Sequence, residues 1–140
     1  MQKFKRWIRR KYLFWKYKHN YNTGMVIVSK LGDRGLGLTT MMLEDCLRKN
    51  CMLLVPNAVT KCRMFDEIDK MVNSPTCTSS IDPNDYLITP TEIANGKLQG
   101  RHNARIIIDN QCTYRDFTTI RDNGYEHSIV NGFIYIPFAA

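Results

Sequence analysis

Five short apolar runs, separated by stretches of helical period, constrain this chain more than any other feature. They are Met25–Lys30, Cys51–Val55, Tyr86–Ile88, Arg105–Asp109 and Phe133–Ile136. Met25–Lys30 shows no polar side chain before Ser29, and such runs belong to strands covered on both faces. Between them, Thr39–Asn50 carries Met41, Met42, Leu43, Cys46 and Leu47 at helical spacing, and Val59–Val72 carries Cys62, Phe65, Ile68 and Val72 on one side. Thr89-Pro90-Thr91-Glu92 reads as a capping box with proline at the first helical position, starting a short helix that ends near Asn95-Gly96. A last helix covers Tyr114–Arg121. Strands alternating with helices predict a layered α/β fold with a mostly parallel sheet. Asn73–Asn84, rich in Ser, Thr, Pro and Asp, reads as an exposed loop.

A chain of 140 residues with 44% hydrophobic side chains is one domain with a real core. It has no apolar run of the roughly 20 residues that a spanning helix needs. The five cysteines form no C-x-x-C pair and no secretory h-region is visible, which fits free thiols in an intracellular, cytoplasmic setting. The net charge of +7 is uneven: residues 1–22 carry +8 with no acid, and the remainder carries −1. Two units follow, a basic aromatic arm over 1–22 and an α/β domain over 24–140.

The turn after the first strand is Gly32-Asp33-Arg34-Gly35-Leu36-Gly37-Leu38-Thr39-Thr40. Glycines let the chain bend so that successive backbone N–H groups converge on an anion, and the start of the following helix adds partial positive charge. Against the phosphate-binding pattern G-x-x-x-x-G-K-[ST], Gly32, Gly37 and Thr39 fit, whereas Leu38 takes the lysine position. A flexible strand-to-helix connection would use the same residues. The run Arg105-Ile106-Ile107-Ile108-Asp109 ends in an acid about 70 residues later, on the edge where ligands of parallel sheets bind. Thr39 and Asp109 are therefore the expected metal pair, with Asp109 acting through water.

In these two elements the chain resembles the P-loop NTPases. Gly32–Thr39 is similar to their Walker A loop, Ile106–Asp109 to their Walker B strand, and Leu98–Ala104 to the approach to that strand in helicase- and terminase-type members, a likeness that includes phage-encoded proteins. The resemblance spans about residues 24–138. It implies a three-layer α/β/α sandwich with Gly24–Lys30 and Arg105–Asp109 as central strands, and ATP or GTP with Mg²⁺ on Gly32, Asp33, Arg34, Gly35, Gly37, Leu38, Thr39 and Thr40. Two departures oppose turnover. Leu38 cannot neutralise phosphates, and Asn110 stands where the family places an acid that positions water. Arg34 and Lys30 are the substitute charges within reach, and an empty loop is an equal expectation. His102 and His127 read as surface residues.

Residues 3–18 form an amphipathic helix. Phe4, Trp7, Ile8, Tyr12, Phe14 and Trp15 share a broad face, with Lys3, Lys5, Arg6, Arg9, Arg10 and Lys16 opposite and Lys11 breaking the pattern. Together with Lys18, these eight cations are the expected partner-binding set. Interleaved cations and aromatics suit a nucleic-acid backbone and its bases. An anionic membrane, an acidic protein surface, or simple docking of the aromatic face on the domain are the other readings. The expected function is thus a degenerate P-loop protein that binds nucleic acid or a nucleic-acid-processing protein and hydrolyses nucleotide weakly or not at all. The alternatives are a minimal NTPase using an arginine, and a viral interaction module that inhibits a host enzyme.

Overall fold

The computed structural model describes residues 2–23, 25–72, 82–101 and 103–136. Within them five parallel strands, β1 (Ile27–Ser29), β2 (Met52–Leu54), β3 (Leu87–Ile88), β4 (Ile106–Ile108) and β5 (Ile129–Tyr135), stand in the order β1-β5-β4-β2-β3. The helices are α1 (Gln2–Asn20), α2 (Leu38–Lys49), α3 (Ala58–Val72), α4 (Pro90–Ala94) and α5 (Tyr114–Asp122). His102 and residues 73–81 of the expected loop lie outside the described residues.

Two-residue alternation sorts the sheet side chains into two cores. Leu53 and Ile107 face one way with Ile27, Leu87 and Phe133, and join Leu13 and Tyr17 of α1, Met42 and Cys46 of α2, and Met64 and Ile68 of α3. Met52, Leu54, Ile106 and Ile108 face the other way, against Ile93 of α4 and Ile120 of α5. The chain moves across the sheet from β1 to β3 and then returns to β5, so right-handed crossovers place α2 and α3 on one face and α4 and α5 on the other. The result is the expected three-layer α/β/α sandwich. The helix starts follow the sequence: the Thr89 hydroxyl accepts from the Glu92 N–H at 3.2 Å, and Pro90 opens α4.

Three expectations are corrected. First, β1 is not central but an edge strand, paired only with β5; Ile27 is buried, Val26 half-buried and Val28 exposed. Its open side explains why an apolar run here does not mean burial on both faces. Second, β5 begins at Ile129, four residues before the expected Phe133. Asn131-Gly132 lies within the strand, with a shift of register against β4 between Ile106 and Ile107. Gly132 adopts φ +136°, and a Cβ there would lie 2.6 Å from the Ile108 carbonyl oxygen. Third, the face of the N-terminal helix that docks on the domain is not the aromatic one. Leu13 and Tyr17 are fully buried, and the buried Asn131 Nδ2 donates to the Tyr17 carbonyl at 2.8 Å, fastening the end of α1 to β5.

Gly132→Ala combines left-handed strain with a backbone clash, each costing about 1–3 kcal/mol. Urea unfolding should show a loss of about 3 kcal/mol; an unchanged midpoint would mean that β5 and β4 do not approach so closely.

Candidate functional site

All five strands end on one edge, so Lys30, Val55, Thr89, Asp109 and Ile136 lie along a common rim. The glycine turn occupies this rim. It passes through a 3-10 turn over Leu31–Asp33 and enters α2 through Gly37, which adopts φ +82°. A cleft of about 460 Å³ opens here, lined by Arg34, Gly35, Gly37, Leu38, Thr39, Thr40, Arg63, Asn110 and Gln111. The start of α2, a 12-residue helix, and two guanidinium groups make its surroundings favourable to anions.

The structure brings Thr39 and Asp109 together, as the order of the two motifs requires. Thr39 Oγ1 lies 2.8 Å from Asp109 Oδ1 and 3.0 Å from Asn110 Oδ1. One hydroxyl proton cannot serve both oxygens at once, and we assign it to the shorter contact, with Asp109. Asp109 is wholly buried and its second oxygen accepts from the Gln111 N–H at 3.3 Å. Burial pushes its pKa up to about 6, against the opposing pull of Thr39 and of the Gln111 and Asn110 amides. Of the expected metal pair only Thr39 lines the cleft, so the pair offers a cation there one hydroxyl and no carboxylate oxygen. Among the described residues no cluster of three or more metal-ligating side chains exists.

Leu38 explains itself by packing. It is 1% exposed and belongs to the core shared by α1, α2 and α3. A lysine at this position would have to start inside an apolar cluster. Lys30 is half-buried and outside the cleft lining, whereas the Arg34 guanidinium sits 4.8 Å from the Tyr135 ring centroid at the cleft wall. The cation that sequence reasoning missed is Arg63 of α3, which lines the same cleft. Its only available signal was that α3 follows a strand ending on the same rim.

The far side of the turn is held by α1. Arg6 donates to the Gly32 and Arg34 carbonyls, each at 2.9 Å, and Arg10 Nε donates to the Leu36 carbonyl at 3.0 Å. Between them Arg9 forms a two-pronged pair with Asp33, Nε to Oδ1 at 2.8 Å and Nη2 to Oδ2 at 2.9 Å. The same Asp33 Oδ2 accepts from the Lys30 N–H at 2.9 Å. Three of the eight expected partner-binding cations thus have internal acceptors; Lys3, Lys5, Lys11 and Lys18 are exposed and Lys16 is half-buried.

The orientation of α1 reverses the docking reading. Its arginine face meets the domain, and its aromatic face points outward: Phe4, Trp7, Ile8, Tyr12 and Trp15 are 44–61% exposed. Only Phe14 of the expected apolar face is packed against the core. At 100° per residue, Arg6, Arg9, Arg10, Leu13 and Tyr17 lie opposite the stripe of Phe4, Trp7, Ile8, Tyr12 and Trp15. A second cluster on the rim is structural. Lys61 Nζ lies 2.9 Å from both Glu92 oxygens and Lys97 Nζ 2.7 Å from one, and these cations overcome burial to hold the Glu92 pKa down to about 2.

The four described cysteines, Cys46, Cys51, Cys62 and Cys112, are free thiols, and no helix among the described residues is long and apolar enough to cross a membrane. Comparison with protein-family models, characterised proteins and solved structures finds no match to this chain.

The raised pKa of Asp109 makes stability depend on pH with a definite sign. The folded protein holds this proton more tightly than the unfolded chain, so the Asp109 contribution falls as pH rises from about 4 to about 6 and is constant above. Asp109→Asn should exceed the parent in stability at pH 7 by up to about 3 kcal/mol, with the difference closing toward pH 4. Chemical unfolding across that range checks this; a difference independent of pH would mean that Asp109 stays charged when folded.

Proposed function

We propose that this protein is a non-hydrolytic, single-stranded nucleic-acid-binding domain, in which the P-loop-like turn acts chiefly as the clamp that presents α1. The observation that carries the reading is the division of labour on that helix. Its three arginines face the turn, while four aromatic side chains and Ile8 form a stripe that faces solvent among five lysines, with no acid on the whole helix. Base-aromatic stacking contributes about 1–3 kcal/mol per base and tolerates any sequence, and flanking lysines add a salt-sensitive attraction to phosphates.

Two features of the rim favour binding over turnover. The position from which a lysine would reach phosphates belongs to the core through Leu38, and Asn110 offers no basic group to activate water. The Gly37 cleft, with Arg34 and Arg63, retains the chemistry to hold a phosphate group. ATP or GTP hydrolysis should stay near background with or without Mg²⁺.

Fluorescence anisotropy with a labelled single-stranded oligonucleotide, over a series of salt concentrations, tests the reading. Binding should weaken steeply with salt, and a Trp7→Ala/Trp15→Ala double variant should lose at least about tenfold in affinity, the equivalent of one stacked base. Ile8, an aliphatic residue within the stripe, would serve an anionic lipid surface better than it serves bases. Cosedimentation with anionic vesicles, combined with no affinity for oligonucleotides at low salt, would therefore overturn the proposal.

A further inference from the structure

A second cleft, of about 580 Å³, lies between α1 and α2 and shares Gly37 and Thr40 with the rim cleft. Its charges are unbalanced: Arg10, Lys18, Arg48 and Lys49 face Glu44 and Asp45, an excess of two cations. The Asp45 carboxylate is already engaged, paired with Arg48 and lying 3.6 Å from Lys49 Nζ. The same space is walled by Phe14, Met41 and Tyr21, each partly buried against the core, so cations and apolar surface stand side by side. Lys49 Nζ lies 3.7 Å from the Tyr21 ring centroid, which keeps this charge at the wall of the cleft.

Tyr17 supplies an independent observation. Its side chain lines this cleft and is 1% exposed, with its ring stacked parallel to Phe133 at 6.1 Å. Its hydroxyl makes no hydrogen bond of ordinary geometry, and burial together with the neighbouring Asp45 carboxylate pushes its pKa up. A buried hydroxyl without a partner lowers stability, and phenylalanine would fill the same space without that cost. The neighbouring Asp45 carboxylate is already shared with Arg48 and Lys49, so the hydroxyl has a fuller partner to gain from a ligand.

We propose that the α1–α2 cleft binds one nucleotide, with its phosphate among Lys18, Arg10 and Lys49, its base against Phe14 and Met41, and a polar edge on the Tyr17 hydroxyl. The class follows from the combination. The excess cations ask for an anion, the apolar wall for a flat ring, and the hydroxyl for a hydrogen-bonding edge, within a volume that suits a small ligand. The nucleotide is either a free mononucleotide or one unit of a strand, and the site does not depend on the outer stripe of α1.

Calorimetric titration of the full chain with 5′-AMP, adenosine and inorganic phosphate separates these contributions. 5′-AMP should bind more tightly than either fragment, and Tyr17→Phe should weaken it at least about fivefold, the scale of one hydrogen bond, without lowering the melting temperature. Lys18→Ala, an exposed change, should weaken 5′-AMP and leave adenosine unaffected. Equal affinity for phosphate and 5′-AMP would reduce the cleft to an anion patch and overturn the proposal, as would undiminished binding in Tyr17→Phe or no binding at millimolar 5′-AMP. An oligonucleotide titration of Tyr17→Phe assigns the source: a parallel loss of strand affinity places a strand nucleotide in the cleft, and a loss confined to 5′-AMP places a free one there. Strand binding that fails in the Trp7/Trp15 variant but survives Tyr17→Phe, with 5′-AMP equally unaffected, would leave the strand reading standing and sink this one.

Discussion

The pair between Arg9 and Asp33 is the contact on which the rest of this arrangement depends. Asp33 is 1% exposed, and burial alone would push its pKa upward. The two hydrogen bonds from Arg9, the Lys30 N–H and the nearby positive charges outweigh burial and hold it below the ordinary value. A carboxylate so enclosed requires its partner: removing one member of such a pair commonly costs about 3–5 kcal/mol. The pair therefore fixes where α1 crosses the turn, and Arg6, nearly one helical turn before Arg9, and Arg10, the next residue after it, come in reach of the carbonyls of Gly32, Arg34 and Leu36. Removing α1 would strand that carboxylate and uncover the core beside Leu13 and Tyr17, so the segment is part of the fold and not an appendage.

From this clamp follows the outward direction of the aromatic stripe. A helix with apolar residues on one side ordinarily buries them. Here the docked face is made of guanidinium groups with Leu13 and Tyr17, because the turn offers a buried carboxylate and unpaired carbonyls that lysines or apolar side chains would satisfy less well. Five large apolar side chains left in water form a patch of the sort that marks an interaction surface.

Much of the fold was legible because it rests on local pattern. The runs at Ile106–Ile108 and Met52–Leu54 alternate between two cores, and the Thr89-Pro90 start of α4 needs only four neighbouring residues. What escaped depends on partners distant in sequence. Val28 has the composition of a buried strand, but its exposure is decided by β1 standing at the sheet edge. The need for glycine at position 132 comes from the Ile108 backbone beside it, 24 residues away in sequence. The periodicity of α1 located its two faces without saying which one docks, since the acceptors for Arg6, Arg9 and Arg10 lie at least 24 residues away. The Thr39–Asp109 contact was readable from two motifs in order, whereas Arg63 belongs to no motif and reaches the cleft from a third element.

Hydrogen exchange along α1 tests most directly whether the turn holds this helix. In the intact protein the backbone amides of Arg9–Tyr17 should be protected, and in Asp33→Asn that protection should fall while β4 and β5 remain protected. Exchange of those α1 amides at the rate of an unfolded peptide in the intact protein would contradict the clamp, and with it the presentation of the aromatic face.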